Sequence, residues 1–305
     1  MLATLEDLKW EVLLRYRYIE IIALWEGRLT TNHLCNTFGI KRQQASRDIN
    51  QYKQMVPDNL DYDAHLKGYI PSATFTPHFT TGTVDEYLNL LDSHSFLEGF
   101  VERIALSQSH TCVIRPPQRR AEPRIVRQVV EACRTGQRLE LTYASMTSPE
   151  GEERIIAPHS LVSSGYRWHL RAYCEKNRDY RDFLLGRILK CGEILGPRLE
   201  DPANDTLWQR EVELRLIPNP GLTPEQQALI RHERCFNDEV LRVRTRAATA
   251  IYFLHLMQVP TAVPDSNDLE AIRANPLVLD DYDQIEALKF DRHQDRAADG
   301  QVRAR

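Results

Sequence analysis

The stretch TTNHLCNTFGIKRQQASRDINQY, Thr30 to Tyr52, constrains the fold of this chain more than any other. Thr30 or Thr31 can cap a short helix running through Leu34 to Phe38, because a threonine oxygen accepts an orphan backbone N–H at a helix start. Gly39 then stops it, a left-handed residue at that place being cheap for glycine. A longer helix follows from about Lys41 to Met55. Leu34, Phe38, Ile40, Ala45 and Ile49 fall on one side, and the order short helix, glycine turn, longer helix is a helix-turn-helix. Its apolar side needs a cover, and residues 5 to 26 provide one. There Leu8, Val12, Leu13, Tyr16, Ile19, Ile22 and Ala23 recur at helical spacing up to Gly27.

The other side of the longer helix carries Arg42, Gln43, Gln44, Ser46, Arg47 and Asn50. Glutamine and asparagine bond the adenine edge, arginine the guanine edge, while lysine and serine anchor phosphates. Gln43, Gln44 and Arg47 are therefore base-contact candidates, and Lys41, Ser46 and Lys53 phosphate-contact candidates. Asp48 reads as the one acidic group on this outward face. After Pro57, Leu60–Ala64 and Gly68–Ile70 alternate around His65 and Lys67, as a small hairpin would, and Lys67 at its tip is a further phosphate candidate. The bland alternative is a structural three-helix unit with a solvated face. The excess of basic residues favours nucleic acid.

Elsewhere the composition excludes more than it assigns. With 305 residues, 42% apolar and 27% charged, the chain has the makings of two or three ordinary globular domains. The first 25 residues mix charges into their apolar pattern, which excludes a signal peptide and a membrane span and implies the cytoplasm. Six cysteines are scattered without a CxxC pair and read as reduced thiols. No GxGxxG, GxxxxGK[ST], HExxH or GxSxG occurs, so no catalytic residue, metal or cofactor is expected. Net charge is −4 overall but uneven: +6 between residues 110 and 198, against −4 before and −6 after. An anion belongs in the middle third.

That middle third opens with a helix from Ile125 to Gly136 and continues in strand-like runs, Leu139–Tyr143, Arg154–Ile156, Trp168–Tyr173 and Phe183–Leu189. Before it, residues 84 to 106 look helical through Val84, Tyr87, Leu88, Leu91, Phe96, Leu97, Phe100 and Ile104, and Arg115-Pro116-Pro117 has linker chemistry. Beyond Pro202, strand and helix alternate: Glu211–Ile217, Pro224–His232, Val240–Val243 and Ala247–Met257. From about Arg292 the chain is polar and expected to fray.

The segment Leu141 to Leu189 resembles a WYL domain. The resemblance rests on Trp168-His169-Leu170 where the family has Trp-Tyr-Leu, on Tyr143, the Pro158-His159 step, Gly165 and the Arg-Asp-Phe-Leu-Leu-Gly-Arg-Ile run ending at Ile188. His169 departs from the family's tyrosine. The order of parts resembles WYL-domain transcription regulators of the BrxR/CapW type, found beside bacterial phage-defence operons. This resemblance implies an α+β multidomain chain with a winged helix-turn-helix (1–80), a helical linker (81–122), an Sm-like β-barrel that senses a ligand (123–198) and a small α/β dimerisation extension (199–305). It further implies a homodimer on an inverted-repeat, double-stranded DNA operator, released by a nucleotide or nucleic-acid fragment. Tyr143, Ser145, His159, Arg167, His169, Arg171 and Arg187 are the candidate ligand residues, Arg171 and Arg187 foremost, because an arginine fork suits phosphate. Strand alternation puts Arg167, His169 and Arg171 on a polar face and Trp168 with Leu170 on the core face. Ordinary ion pairs to Glu152, Glu153, Asp179 or Asp182 are the competing reading of these arginines. An effector of RNA or of a protein partner is the alternative for the whole chain.

Overall fold

A computed structural model describes residues 8–97, 112–114, 121–264, 268–283, 285 and 288. The chain separates into two compact units, Met1–Arg115 and Pro116–Arg305.

The first unit opens with α1 (Trp10–Glu26), closed by Gly27 at φ 71°. It continues with α2 (Thr31–Phe38), Gly39 at φ 65°, and α3 (Arg42–Met55). Of the two candidate caps it is Thr30 that stands at the helix start, where His33 completes a capping box, its ring accepting the Thr30 N–H at 2.9 Å. Tyr16, Ile19, Ile22 and Ala23 of α1 form one core with Leu34, Ala45, Ile49 and Tyr52, and Phe38 and Ile40 pack at its edge. The hairpin is β1 (Leu60–Asp63) and β2 (Gly68–Pro71), paired antiparallel from Leu60↔Pro71 to Asp63↔Gly68. Asp63 Oδ1 accepts the N–H groups of His65 and Leu66, which folds the tip. Leu29 bridges Tyr69 and adds a rung on the other edge of β2. A Cβ at Gly68 would stand 2.9 Å from the Leu29 carbonyl oxygen, so only glycine lets this rung form. α4 (Val84–Leu97) follows. The expected continuation of that helix to 106, the Arg115-Pro116-Pro117 linker and the tail from Arg292 lie outside the described residues.

The second unit begins with α5 (Pro123–Thr135), which buries Ile125, Val129 and Ala132 at i, i+4, i+7. Burying Ile125 and Val129 stabilises by roughly 1.5–3 kcal/mol each. Their partners lie on an antiparallel sheet of β3 (Gln137–Tyr143), β4 (Glu152–Ser163), β5 (Trp168–Cys174), β6 (Asp179–Leu184) and β7 (Ile188–Pro197). The strand order is β6-β5-β4-β3-β7, and among the described residues nothing pairs β6 with β7, so the sheet is open and not a closed barrel.

Two strand expectations change. Arg154–Ile156 is the start of a twelve-residue strand, β4, that runs through Pro158. The register shift between Pro158↔Ala172 and Ser160↔Arg171 leaves His159 as an extra residue, a bulge that accommodates a proline lacking an N–H. The expected single strand Phe183–Leu189 is broken by a 3-10 turn, Leu185–Arg187, into the end of β6 and the start of β7.

The rest of the unit is α6 (Thr206–Gln209), β8 (Glu211–Pro218), α7 (Pro224–Glu233), β9 (Leu241–Arg246), α8 (Ala250–Leu256), α9 (Leu269–Ala274) and β10 (Leu277–Leu279). Its three strands pair antiparallel in the order β10-β8-β9 over a core of Leu214, Leu216, Ala250, Leu254 and Leu279. α9 and β10 went unread in the sequence, being too short to show a period.

Candidate nucleic-acid interface and sensing face

Ala45, Asp48, Ile49 and Tyr52 are the buried stripe of α3, spaced i, i+3, i+4, i+7. The helix therefore turns Lys41, Arg42, Gln43, Arg47 and Asn50 to solvent, with Gln44 and Ser46 half-buried on its flanks. Lys67, at φ 50° in the wing tip, is exposed. Lys53 is half-buried, its Nζ 5.3 Å from the centre of the Tyr69 ring on β2. Gln51 and Gln54, which the sequence reading passed over, are exposed along the same helix.

Asp48 corrects the sequence expectation. Its side chain is 1% exposed, one oxygen 2.7 Å from Arg15 Nε on α1 and the other accepting from Gln44 Nε2 at 2.7 Å. The acidic group counted against the outward face is thus turned inward and neutralised, which leaves that face more basic. Gln44 is held by Asp48, whereas Gln43 and Arg47 are not so tied.

The candidate ligand residues divide into two sets. Alternation along β5 sends His169 and Arg171 one way and Leu170 the other, Arg167 standing exposed before the strand, but the polar side of the strand itself is covered. His169 and Arg171 are 8% and 5% exposed. Asp205, in the turn capping α6, receives Arg171 through Nε at 2.7 Å and Nη2 at 2.8 Å, a bidentate fork. His159 Nε2 stands 3.2 Å from the same carboxylate, which can only accept, so that nitrogen carries the proton. The Trp208 amide completes the set at 3.1 Å. Burial opposes ionisation of Asp205, yet the Arg171 fork and the His159 bond outweigh it and hold the carboxyl well below the usual range. Arg171 also reaches Asp182 at 3.3 Å, and Asp182 accepts from the Tyr252 hydroxyl at 2.6 Å. The Tyr252 ring lies 4.2 Å from that of His169. The ion-pair reading of Arg171 therefore holds for Asp182, with Asp205 the larger partner.

The remaining candidates are placed otherwise. Tyr143 packs edge-on against Phe183, and its hydroxyl accepts the Leu184 N–H at 3.0 Å. Ser145 hydrogen-bonds Thr147 and the Ser148 N–H within its own loop. Arg167 is exposed with its guanidinium over the Tyr166 ring, and Arg187 is half-buried at the end of the 3-10 turn. Trp168, expected in the core, is 53% exposed, since it opens β5 opposite Ser163 where the apolar cover ends. Asp205, Trp208 and Tyr252 were not singled out from the sequence, whereas Asp182 was named as an ion-pair partner. The capping pattern at Asp205 was readable, but its arginine was not.

A three-helix unit with a polar and basic recognition helix and a two-stranded wing, in one chain with a five-stranded sheet and a further α/β part, defines a winged-helix regulator. Family models agree along the chain. The winged helix-turn-helix domain of the BrxR transcriptional regulator matches residues 11–93, the WYL domain 124–191, and the BrxR C-terminal dimerization domain 211–285. Curated relatives are the DNA-binding transcriptional repressor CapW of Escherichia coli (strain KTE188), 32% identical over 92% of both chains, and that of Pseudomonas aeruginosa, 33% identical over 92% of both. CapW of Stenotrophomonas maltophilia is 32% identical over 84% of this chain and 87% of its own. Among solved structures, Proteasome accessory factor B/C (PafBC) of Arthrobacter aurescens is similar at 16% identity and TM-score 0.25, over 92% of this chain and 47% of that one. The chain belongs to the CapW family of DNA-binding transcriptional repressors, which is not a family of enzymes. Among the described residues, no helix is long and apolar enough to cross a membrane.

Proposed function

We propose that this chain is a dimeric, sequence-specific repressor that occupies an inverted-repeat operator in its own promoter and leaves it when a nucleotide or nucleic-acid fragment reaches the WYL sheet. The observation that carries the DNA half is the exposed stripe of α3, with its acidic residue withdrawn. Gln43 and Arg47 are the base readers, joined by Arg42 and Asn50, with Gln44 in a lesser part. Lys41, Ser46, Lys53 and Lys67 hold phosphates. A two-fold dimer built through residues 211–285 sets two recognition helices about 34–36 Å apart, or a multiple of that, in successive major grooves. The controlled genes are a bacterial phage-defence operon, an assignment that rests on the family resemblance, and the site of action is the cytoplasm.

The ligand half rests on Arg171. Its fork already grips a carboxylate, and a phosphate presents the same two-oxygen edge. An entering phosphate competes with Asp205 for the fork, Arg187 and Arg167 adding charge from the turn and the strand start, with Tyr143, Ser145, His159 and His169 framing them. Displacing Asp205 frees the 201–209 segment from β5, and that is the differential contact a ligand needs in order to shift an equilibrium. The five antiparallel strands, with β7 returning beside β3, suit an Sm-like strand order in an open sheet.

A footprint of the full chain on its upstream region, with and without short oligonucleotides, tests this reading. Protection of an inverted repeat that oligonucleotides relieve is the expected result, and Arg187→Ala keeps the protection while losing the relief. Protection that no oligonucleotide relieves refutes the ligand half.

A further inference from the structure

Among the described residues, one buried hydroxyl ties the recognition helix to the base of the wing by hydrogen bonds. The Tyr52 hydroxyl, near the end of α3, donates to Glu20 Oε1 on α1 at 2.9 Å. It accepts from Asn59 Nδ2 at 2.9 Å. Asn59 immediately precedes β1 and is 2% exposed. It closes the base of the wing with every polar group used: Nδ2 also donates to the Thr76 carbonyl at 2.7 Å, Oδ1 accepts the Thr76 N–H, and its carbonyl accepts the Ser72 N–H. Glu20 is fully buried and takes the N–H groups of His78, Phe79 and Thr80 as well. One chain of bonds therefore runs from α1 through the helix that would enter the groove to both ends of the hairpin that would flank it.

Apolar contacts alone would not fix that geometry. The Tyr52 ring meets Tyr16 and Phe79 at 5.8 and 5.9 Å between centroids, and such contacts tolerate small rotations that directional hydrogen bonds do not. A tyrosine hydroxyl can donate once and accept, and here it does both in opposite directions.

We propose that Tyr52 is a positioning residue for operator binding: its hydroxyl sets the wing against the recognition helix, so that Lys67 reaches a phosphate while α3 occupies the groove. The proposal rests on the reading of α3 and the wing as the DNA interface. Its signature is energetic coupling between two residues on separate elements, Tyr52 in the core and Lys67 at the wing tip.

The test is a double-mutant cycle on the full chain, with Tyr52→Phe, Lys67→Ala and the pair titrated against the duplex of its own upstream region. Tyr52→Phe removes one oxygen and keeps the ring packing, which a thermal melt verifies. Asn59→Ala cuts the same link from the wing side and serves if Tyr52→Phe does not fold. In the wild-type background Lys67→Ala weakens binding roughly three- to tenfold, the order of one charge-assisted phosphate contact. In the Tyr52→Phe background the same change costs less than about twofold, because the lysine is no longer held in place. Equal losses in both backgrounds overturn the proposal and leave Tyr52 a purely structural residue. An inert Lys67→Ala beside a damaging Arg47→Ala also overturns it, since the wing then contributes nothing. Binding no better than to scrambled duplex, with Arg47→Ala and Lys67→Ala both inert, shows that the interface itself was misread, and the proposal falls with it.

Discussion

Replacing Asp205 by alanine tests the energetics of the junction most severely. The carboxylate is 1% exposed and holds both nitrogens of the Arg171 fork, His159 and the Trp208 amide. Without it, Arg171 keeps, among the described residues, Asp182 at 3.3 Å, in a place where its own exposure is 5%. Removing one partner of a buried pair costs about 3–5 kcal/mol, mostly from the charge left behind. In a folding unit of about 190 residues each kcal/mol moves the melting point by about 2–4 °C, so a fall of about 6–20 °C is expected. Differential scanning calorimetry of the full chain reads this directly, the transition of the second unit being the one that moves. The double replacement Arg171→Met with Asp205→Leu should recover the part of the loss that comes from the stranded guanidinium, since apolar groups of similar volume substitute for a buried pair at little cost, while His159 Nε2 and the Trp208 amide stay unpaired. A melting point for Asp205→Ala within about 2 °C of wild type would refute the account of the junction.

The pH dependence follows from the same carboxyl. Its folded value is depressed, so the stabilisation is complete above the unfolded value, about 4, and is lost as pH falls toward the folded one. The gap in urea stability between wild type and Asp205→Asn should be constant from pH 5 to 7 and shrink below about pH 4; a gap that widens in acid contradicts the assignment. Glu20→Gln places an amide N–H₂ against donors and should cost about 1–3 kcal/mol in urea titrations, with unchanged stability counting against the buried hub. Arg47→Ala should weaken operator binding about tenfold or more, the size of a good base contact, while Gln44→Ala, whose amide is tied to Asp48, changes it less. A larger effect at Gln44 than at Arg47 in a gel-shift titration would reverse the roles given to them.

The recognition unit was legible because its signals are local. Gly27 and Gly39 stop helices through their own backbone preference, and Tyr16, Ile19, Ala45 and Ile49 repeat at helical spacing. Asp48 was misread for the same reason: it occupies a core position of that repeat, three residues after Ala45, and Arg15 on another helix, together with Gln44, makes its burial tolerable. In the sheet, alternation correctly separated Arg171 from Leu170 but did not say what lies above each face. The cover is Asp205, 34 residues along the chain from Arg171, with Tyr252, 70 residues from Asp182. Nothing in a strand's period encodes partners at that distance. The 3-10 turn at Leu185–Arg187 escaped notice because only Gly186 and Arg187 interrupt the apolar run from Phe183 to Leu189, and β10 because three residues carry no period.

The central claim, that α3 and the wing hold duplex operator DNA in a two-fold complex, is tested most directly by fluorescence anisotropy. The full chain is titrated against its own upstream region between 50 and 200 mM salt with scrambled competitor present. Lys41, Lys53 and Lys67 on each of two protomers give about six phosphate contacts, a log-log salt slope near −5 and about a thousandfold loss of affinity over that range. Competitor-resistant binding to an inverted repeat with that slope is the predicted result. Binding without preference over scrambled duplex, or with a slope near zero, would contradict it.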